Sequence, residues 1–190
     1  MKRSLNCILL CGSPGVGKTS VTELLKKEGY KSVTIGTLMK DIAVAEKYVK
    51  NRDQIRYLPK KVTSALRKSA IRQISAMSGT VLIDTHVSVC SGNRYTSGIP
   101  YDAISMLKGL SGIIMIDATE KEILARRKGD KSRTREIEDK VKIENQRMIN
   151  LSALSYYSTY LNLPLYIIHN RQGRIQETAN RCIEAIKNMD

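Results

Sequence analysis

The segment Gly12-Ser13-Pro14-Gly15-Val16-Gly17-Lys18-Thr19 constrains this chain more than any other. It matches G-x-x-x-x-G-K-[ST], the signature of a phosphate-cradling loop. The apolar run Cys7-Ile8-Leu9-Leu10-Cys11 before it reads as a buried strand, and Val21-Thr22-Glu23-Leu24-Leu25 after it reads as a helix. That strand–loop–helix context is the one the motif requires. Glycines let successive backbone N–H groups curl inward, and the helix N-terminus adds partial positive charge. Gly12 through Thr19 would thus present N–H groups to a polyphosphate. Lys18 brings a full charge to the β- and γ-phosphates, and Thr19 offers a hydroxyl to Mg²⁺. The dinucleotide fingerprint G-x-G-x-x-G does not fit, because the order here is G-x-x-G-x-G.

Beyond the loop the pattern alternates from end to end. Apolar strand candidates are 6–11, 31–35, 80–83, 112–116 and 164–168. Helical patterns fall at 19–27, 38–48, 59–77, 101–108, 121–128, 139–161 and 174–188. Such alternation implies an α/β fold with a central parallel sheet and helices on both faces, and ligands at the carboxyl ends of the strands. The irregular pieces 91–100 and 129–137 carry Arg, Gly or Ser and are candidate substrate loops.

At 190 residues the chain fits one domain with a sizeable core. Its net charge of +14 suits nucleic acid, an acidic membrane surface or phosphorylated small molecules. No stretch approaches a membrane span, and Met1-Lys2-Arg3 with its short apolar run makes a poor signal peptide. The four cysteines show neither a C-x-x-C pair nor zinc spacing, so Cys7 and Cys11 read as small core residues in a reducing, cytoplasmic setting.

Four further groups of residues bear on chemistry. Val81-Leu82-Ile83-Asp84 is an apolar strand ending in an acid, placed to organise Mg²⁺ or simply to cap the next turn. His86 follows at the same sheet edge, where substrate contact and a structural role are both open. The run from Arg126 to Arg135 packs six cations into ten residues, among them Arg126, Arg133 and Arg135. It reads as a lid that closes over phosphates, with arginine forks stabilising the charge that spreads during transfer, or else as a solvated basic turn or an RNA-contacting patch. Arg52 and Arg56 are four apart and would share a helical face, gripping a second phosphate or pairing with surface acids. The basic stripe from Lys60 to Arg72 lacks interleaved aromatics, so nucleic acid is disfavoured though not excluded there.

Taken together these segments resemble the archaeal-type adenylate kinases over nearly the whole chain. The likeness rests on the loop, on Gly36-Thr37-Leu38-Met39, on Arg52-Asp53-Gln54-Ile55-Arg56 and on Ile83-Asp84-Thr85-His86. It continues through Tyr95-Thr96-Ser97-Gly98-Ile99-Pro100, Ile123-Leu124 leading to Arg126, and Ser132-Arg133-Thr134-Arg135. The resemblance implies a three-layer P-loop NTPase fold as a single domain, with an AMP-binding region at about 36–60 and a short arginine-rich lid at about 128–138. It implies ATP and Mg²⁺ at the loop, with Thr19 and Asp84 on the metal. It places AMP against Thr37, Arg52, Arg56, His86 and Arg94, and it implies a homotrimer. Lys18, Arg126, Arg133 and Arg135 would carry catalysis. Two positions depart from the family pattern. Cys90 stands where a basic residue is usual, with Arg94 slightly later in the loop. Leu151 stands where an Arg is usual, with Arg147 one turn earlier on the same helical face.

Overall fold

The computed structural model describes residues 4–50, 52–129 and 140–189; within these, the side chains of Arg52, Asp53, Arg56 and Ser91 are not described. Five parallel strands form the central sheet: β1 (Leu5–Cys11), β2 (Lys31–Thr34), β3 (Gly79–Asp84), β6 (Leu110–Asp117) and β7 (Leu165–His169). A hairpin, β4 (Ser88–Ser91) with β5 (Arg94–Ser97), stands apart from it. The sheet order is β2-β3-β1-β6-β7. The chain therefore passes from β1 to the far edge at β2, fills the gap between them with β3, and then crosses to build β6 and β7 on the other side of β1. The turn after β1 sits at that reversal, where parallel α/β sheets leave a crevice.

The inner strands β1, β3 and β6 read as apolar runs because both faces are covered. Cys7, Leu9 and Cys11 face one core cluster, while Ile8 and Leu10 face the other. This is the period of two that a strand imposes. Helices α2 (Ile35–Ala45), α3 (Lys60–Ser75) and α4 (Tyr101–Ile104) cover the first face. Helices α1 (Lys18–Lys27) and α7 (Ile175–Lys187) cover the second, joined by Ile123 of α5 (Glu120–Gly129). Helix α6 (Lys140–Leu161) contributes Leu154 and Tyr157 to the first cluster and Ile143 to the second.

Three local expectations are corrected. The piece 91–100 is not irregular, since β4 and β5 pair antiparallel with Ser91 opposite Arg94. Gly92 takes φ +62 at the first turn position, which a tight hairpin needs and glycine supplies. Arg52–Tyr57 is a 3₁₀ helix rather than a stretch of α-helix. Finally, α2 starts at Ile35, which places Gly36 and Thr37 in its first turn, and α4 ends at Ile104 rather than 108.

Candidate active site

The loop after β1 is built by a short turn and then tied down from outside. Val16 N donates to Ser13 O across 3.3 Å, with Pro14 and Gly15 between them. Gly15 has φ +92, which this turn requires at its third residue and which proline before it favours. Gly17, at φ +90, caps α1 without any side-chain hydrogen bond, and no acid lies in the helix's first turn. The first-turn N–H groups of α1 therefore keep their capacity for an anion.

Arginines from α5 set the loop's polarity. Arg127 donates from Nε and Nη2 to Pro14 O at 3.1 and 2.6 Å. Arg126 Nη1 and Asn170 Nδ2 both donate to Val16 O, at 3.0 and 2.8 Å. In a planar trans peptide the C=O and the following N–H point in opposite directions. Pulling these carbonyls outward turns the N–H groups of Gly15 and Gly17 toward the cradle. Arg126 is further engaged by Asn170 O at 2.7 Å and Gln172 Oε1 at 3.1 Å. The helix bearing both arginines opens with a reciprocal cap. Thr119 N donates to Glu122 Oε2 at 2.9 Å, and Glu122 N donates to Thr119 Oγ1 at 3.3 Å. Neither Arg127 nor Asn170 stands out in the sequence. The doubled Arg126-Arg127 was a signal for the first, whereas the burial of Asn170 left none.

Inside the site, Lys18 forms an ion pair with Asp84 at the end of β3. Burial lowers the Lys18 ammonium to about 8, with the Cys11 sulfur pulling the other way. Burial also pushes the Cys11 thiol up to about 12, so it is inert packing as expected for a core cysteine. Thr19 is exposed at the start of α1 and Ser20 with it. Among the described residues no three His, Cys, Asp or Glu side chains gather as a metal cluster. One strand-end carboxylate and one hydroxyl fit Mg²⁺, which keeps several waters and takes its other ligands from substrate phosphates.

A second strand-end acid flanks the loop on the opposite side. Asp117 ends β6 and is 5% exposed. Arg147 of α6 grips it bidentately, Nε to Oδ1 at 2.8 Å and Nη2 to Oδ2 at 2.6 Å. The hydrogen bonds to Asp117 raise the Arg147 pKa further. His169 Nδ1 lies 3.7 Å from Asp117 Oδ2. Leu151, one turn beyond Arg147, lines the same small cleft of about 130 Å³. The two do share a face, but the Arg147 fork is taken by Asp117.

Of the residues expected to meet AMP, Thr37 is exposed in the first turn of α2, and His86 is exposed just past β3. Both follow strands at the same carboxyl edge as the loop. Arg94 is exposed on β5. Cys90 lies in β4, its thiol donating to Gly92 O at 3.4 Å. The side chains of Arg52 and Arg56 are not described, and Arg133 and Arg135, with most of the lid at 128–138, lie outside the described residues.

A five-stranded parallel sheet, a phosphate loop at its reversal point and a lysine paired with a neighbouring strand-end aspartate define a P-loop kinase. Solved structures of that kind share the fold. A shikimate kinase from Bacteroides thetaiotaomicron superposes with a TM-score of 0.59 at 16% identity, covering 96% of this chain and 98% of its own. A gluconokinase from Sinorhizobium meliloti gives 0.56 at 12% identity, covering 99% and 95%. A family model described as an AAA domain matches residues 11–144. Among curated proteins, the adenylate kinase of Pyrococcus horikoshii is 32% identical over 185 residues, 94% of each chain. That of Methanocaldococcus jannaschii is 34% identical over 188 residues, 95% of this chain and 97% of its own. That of Thermoplasma acidophilum is 34% identical over 179 residues, 94% and 97%. The chain belongs to the archaeal adenylate kinase family.

Proposed function

We propose that this protein is an adenylate kinase that transfers the γ-phosphate of Mg-bound ATP to AMP, giving two ADP, and so balances the adenine nucleotides. One observation carries the reading: the Lys18–Asp84 pair at the mouth of the phosphate loop, in a chain that aligns with adenylate kinases over its whole sheet. An AMP phosphate oxygen attacks Pγ in line, and the bond from Pγ to the bridging oxygen of ADP breaks. The step needs two polyanions held close with their charge neutralised, and little covalent help. The backbone of Gly12–Ser20 holds the ATP phosphates, and Lys18 moves from Asp84 to the β- and γ-oxygens. Thr19 and Asp84 would hold Mg²⁺, which would supply charge neutralisation at those phosphates. Arg126 keeps the loop in shape, while Arg133 and Arg135 belong to the lid. Thr37, Arg52, Arg56, His86 and Arg94 face AMP.

The setting we propose is cytoplasmic; no described helix is long and apolar enough to cross a membrane. We further propose a homotrimer. The stretch from Met148 to Asn170 holds no Asp, Glu, Lys or Arg in a chain of net charge +14. It exposes Met148, Leu151, Tyr156, Tyr160 and Ile167, so copies can meet there without facing like charges. Sedimentation should give three chains for the wild type and one for Y160E; a monomeric wild type removes the assembly.

Lys60, Lys61, Lys68 and Arg72 are all exposed on α3, which favours a second reading as a nucleic-acid-associated ATPase on the same fold. A coupled assay of ADP formation from Mg-ATP, with AMP, CMP, UMP and GMP offered singly, separates the readings. Rapid ADP formation with AMP alone supports the first. Preference for another monophosphate changes the acceptor, and acceptor-independent ADP formation favours the second reading.

A further inference from the structure

The buried stripe of α6 carries two amides where apolar residues are expected. Ile143, Gln146, Asn150, Leu154 and Tyr157 are its buried positions. Asn150 is 1% exposed, and a buried amide is tolerated only when its donors and acceptors are met. Its Nδ2 donates to Ser13 Oγ in the phosphate loop at 3.0 Å. Its Oδ1 accepts from Ser88 Oγ, the first residue of β4, at 2.6 Å. Gln146, one turn earlier, donates to Ser88 O at 3.4 Å. A single side chain thus joins the loop that would hold ATP to the hairpin that bears Arg94 and that begins at Ser88, two residues beyond His86. Neither serine reaches the other without it.

We propose that Asn150 is a positioning residue that couples the two nucleotide sites. Its effect has a direction. Because Ser13 Oγ accepts from Asn150, its own O–H is left to donate, and among the described residues it has no protein acceptor. That hydroxyl then points its hydrogen at a phosphate oxygen when the loop is filled. Because Ser88 donates to the same amide, the start of β4 is held to the loop in one register. Ordering either end orders the amide and reduces what the other end must lose on binding. Coupling of this kind is reciprocal between ligands and commonly amounts to about 5-fold or more in affinity. The inference rests on the kinase reading, since it needs both sites.

Three variants separate positioning from mere packing. N150D keeps shape, but a carboxylate only accepts, so it turns the Ser13 hydrogen away from the phosphates and adds negative charge beside them. S88A removes one oxygen and cuts the link from Asn150 to the hairpin, while leaving the Ser13 contact and the Gln146 bond to the Ser88 carbonyl. N150A removes both. The measurement is calorimetric affinity for a non-hydrolysable ATP analogue, and for whichever of AMP, CMP, UMP and GMP the wild type binds most tightly, each alone and with the other bound. Thermal melting is run alongside. The wild type should show mutual tightening of about 5-fold or more. S88A should keep its affinity for the analogue alone and lose the tightening. N150D should fold and lose affinity for the analogue by about tenfold, the weight of one hydrogen bond to a charged group. If S88A and N150D melt normally and keep wild-type tightening, the proposal is overturned. If the wild type binds both nucleotides with no tightening, it is overturned equally. A monophosphate other than AMP as the tightest ligand would instead revise the acceptor and leave the coupling test intact.

Discussion

The two sides of the phosphate loop carry the same sequence element and use it differently. Val81-Leu82-Ile83-Asp84 and Ile113-Ile114-Met115-Ile116-Asp117 are both apolar strands that end in an acid beside β1. Asp84 pairs with Lys18, a residue of the loop itself that a polyphosphate would claim. Asp117 is gripped by Arg147 from α6, with two hydrogen bonds that no ligand needs to break. One acid is therefore held by a partner that a polyphosphate would claim, which on the proposed reading would leave it available to a metal ion. The other is locked, and fixes α6 to the end of β6. The lesson is that a strand-end aspartate is assigned by its partner's other obligations, not by its position.

The largest effect that would break this contrast belongs to Asp117. D117A leaves the half-buried Arg147 charge without its partner, and losing one member of such a pair costs about 3–5 kcal/mol. Chemical denaturation should show that loss, with kcat retained wherever the protein stays folded. D84A should do the opposite. It should lower activity and Mg²⁺ affinity by about 10–100-fold while leaving the unfolding midpoint close to wild type. A D84A variant with normal Mg²⁺ dependence, or a D117A variant with normal stability, would erase the distinction.

Next comes the outside of the loop. R126A removes hydrogen bonds to two carbonyls, although Asn170 still holds Val16 O. KM for ATP should rise by about tenfold, near the worth of one charged hydrogen bond, with a smaller change in kcat. A pure kcat effect would move Arg126 from shaping the loop to acting on the transferring group.

The smallest effect is proton linkage at Lys18. In the free protein its ammonium titrates at about 8, lowered by burial. Phosphates beside it favour the charged form, so its pKa is higher when nucleotide is bound. Binding is then strongest below about 8 and weakens as pH rises through that value, with a proton taken up just above it. Calorimetry in two buffers of different ionisation enthalpy should count up to about one proton for the wild type and none for K18M. Equal counts would place the titration elsewhere.

Much of this fold is legible in the sequence, for a physical reason. Strands covered on both faces must be apolar, and the inner strands β1, β3 and β6 show as such runs, whereas the edge strand β2, Lys31-Ser32-Val33-Thr34, does not. The loop is legible because its glycines meet a backbone demand. The hairpin was missed because β4 and β5 are four residues each and β5 is largely exposed, so neither an apolar run nor a clean alternation marks them. Gly92-Asn93 between them was the available signal. Asp117 repeats the Asp84 pattern and was open to the same reading. Asn150 and Asn170 were not, because a buried polar side chain is distinguished from a surface one only by what the fold sets against it. Asn150 falls on the stripe begun by Ile143, seven residues on, which is where a helix returns to the same face.

The central claim is that the Lys18–Asp84 site passes a phosphoryl group between nucleotides and does not release it to water. Incubating γ-labelled ATP with Mg²⁺ and unlabelled AMP, then separating the products, tests this directly. The account predicts label in ADP, none appearing as inorganic phosphate beyond the rate without enzyme, and no turnover when AMP is omitted. Label released as inorganic phosphate at the same rate with and without AMP would contradict it.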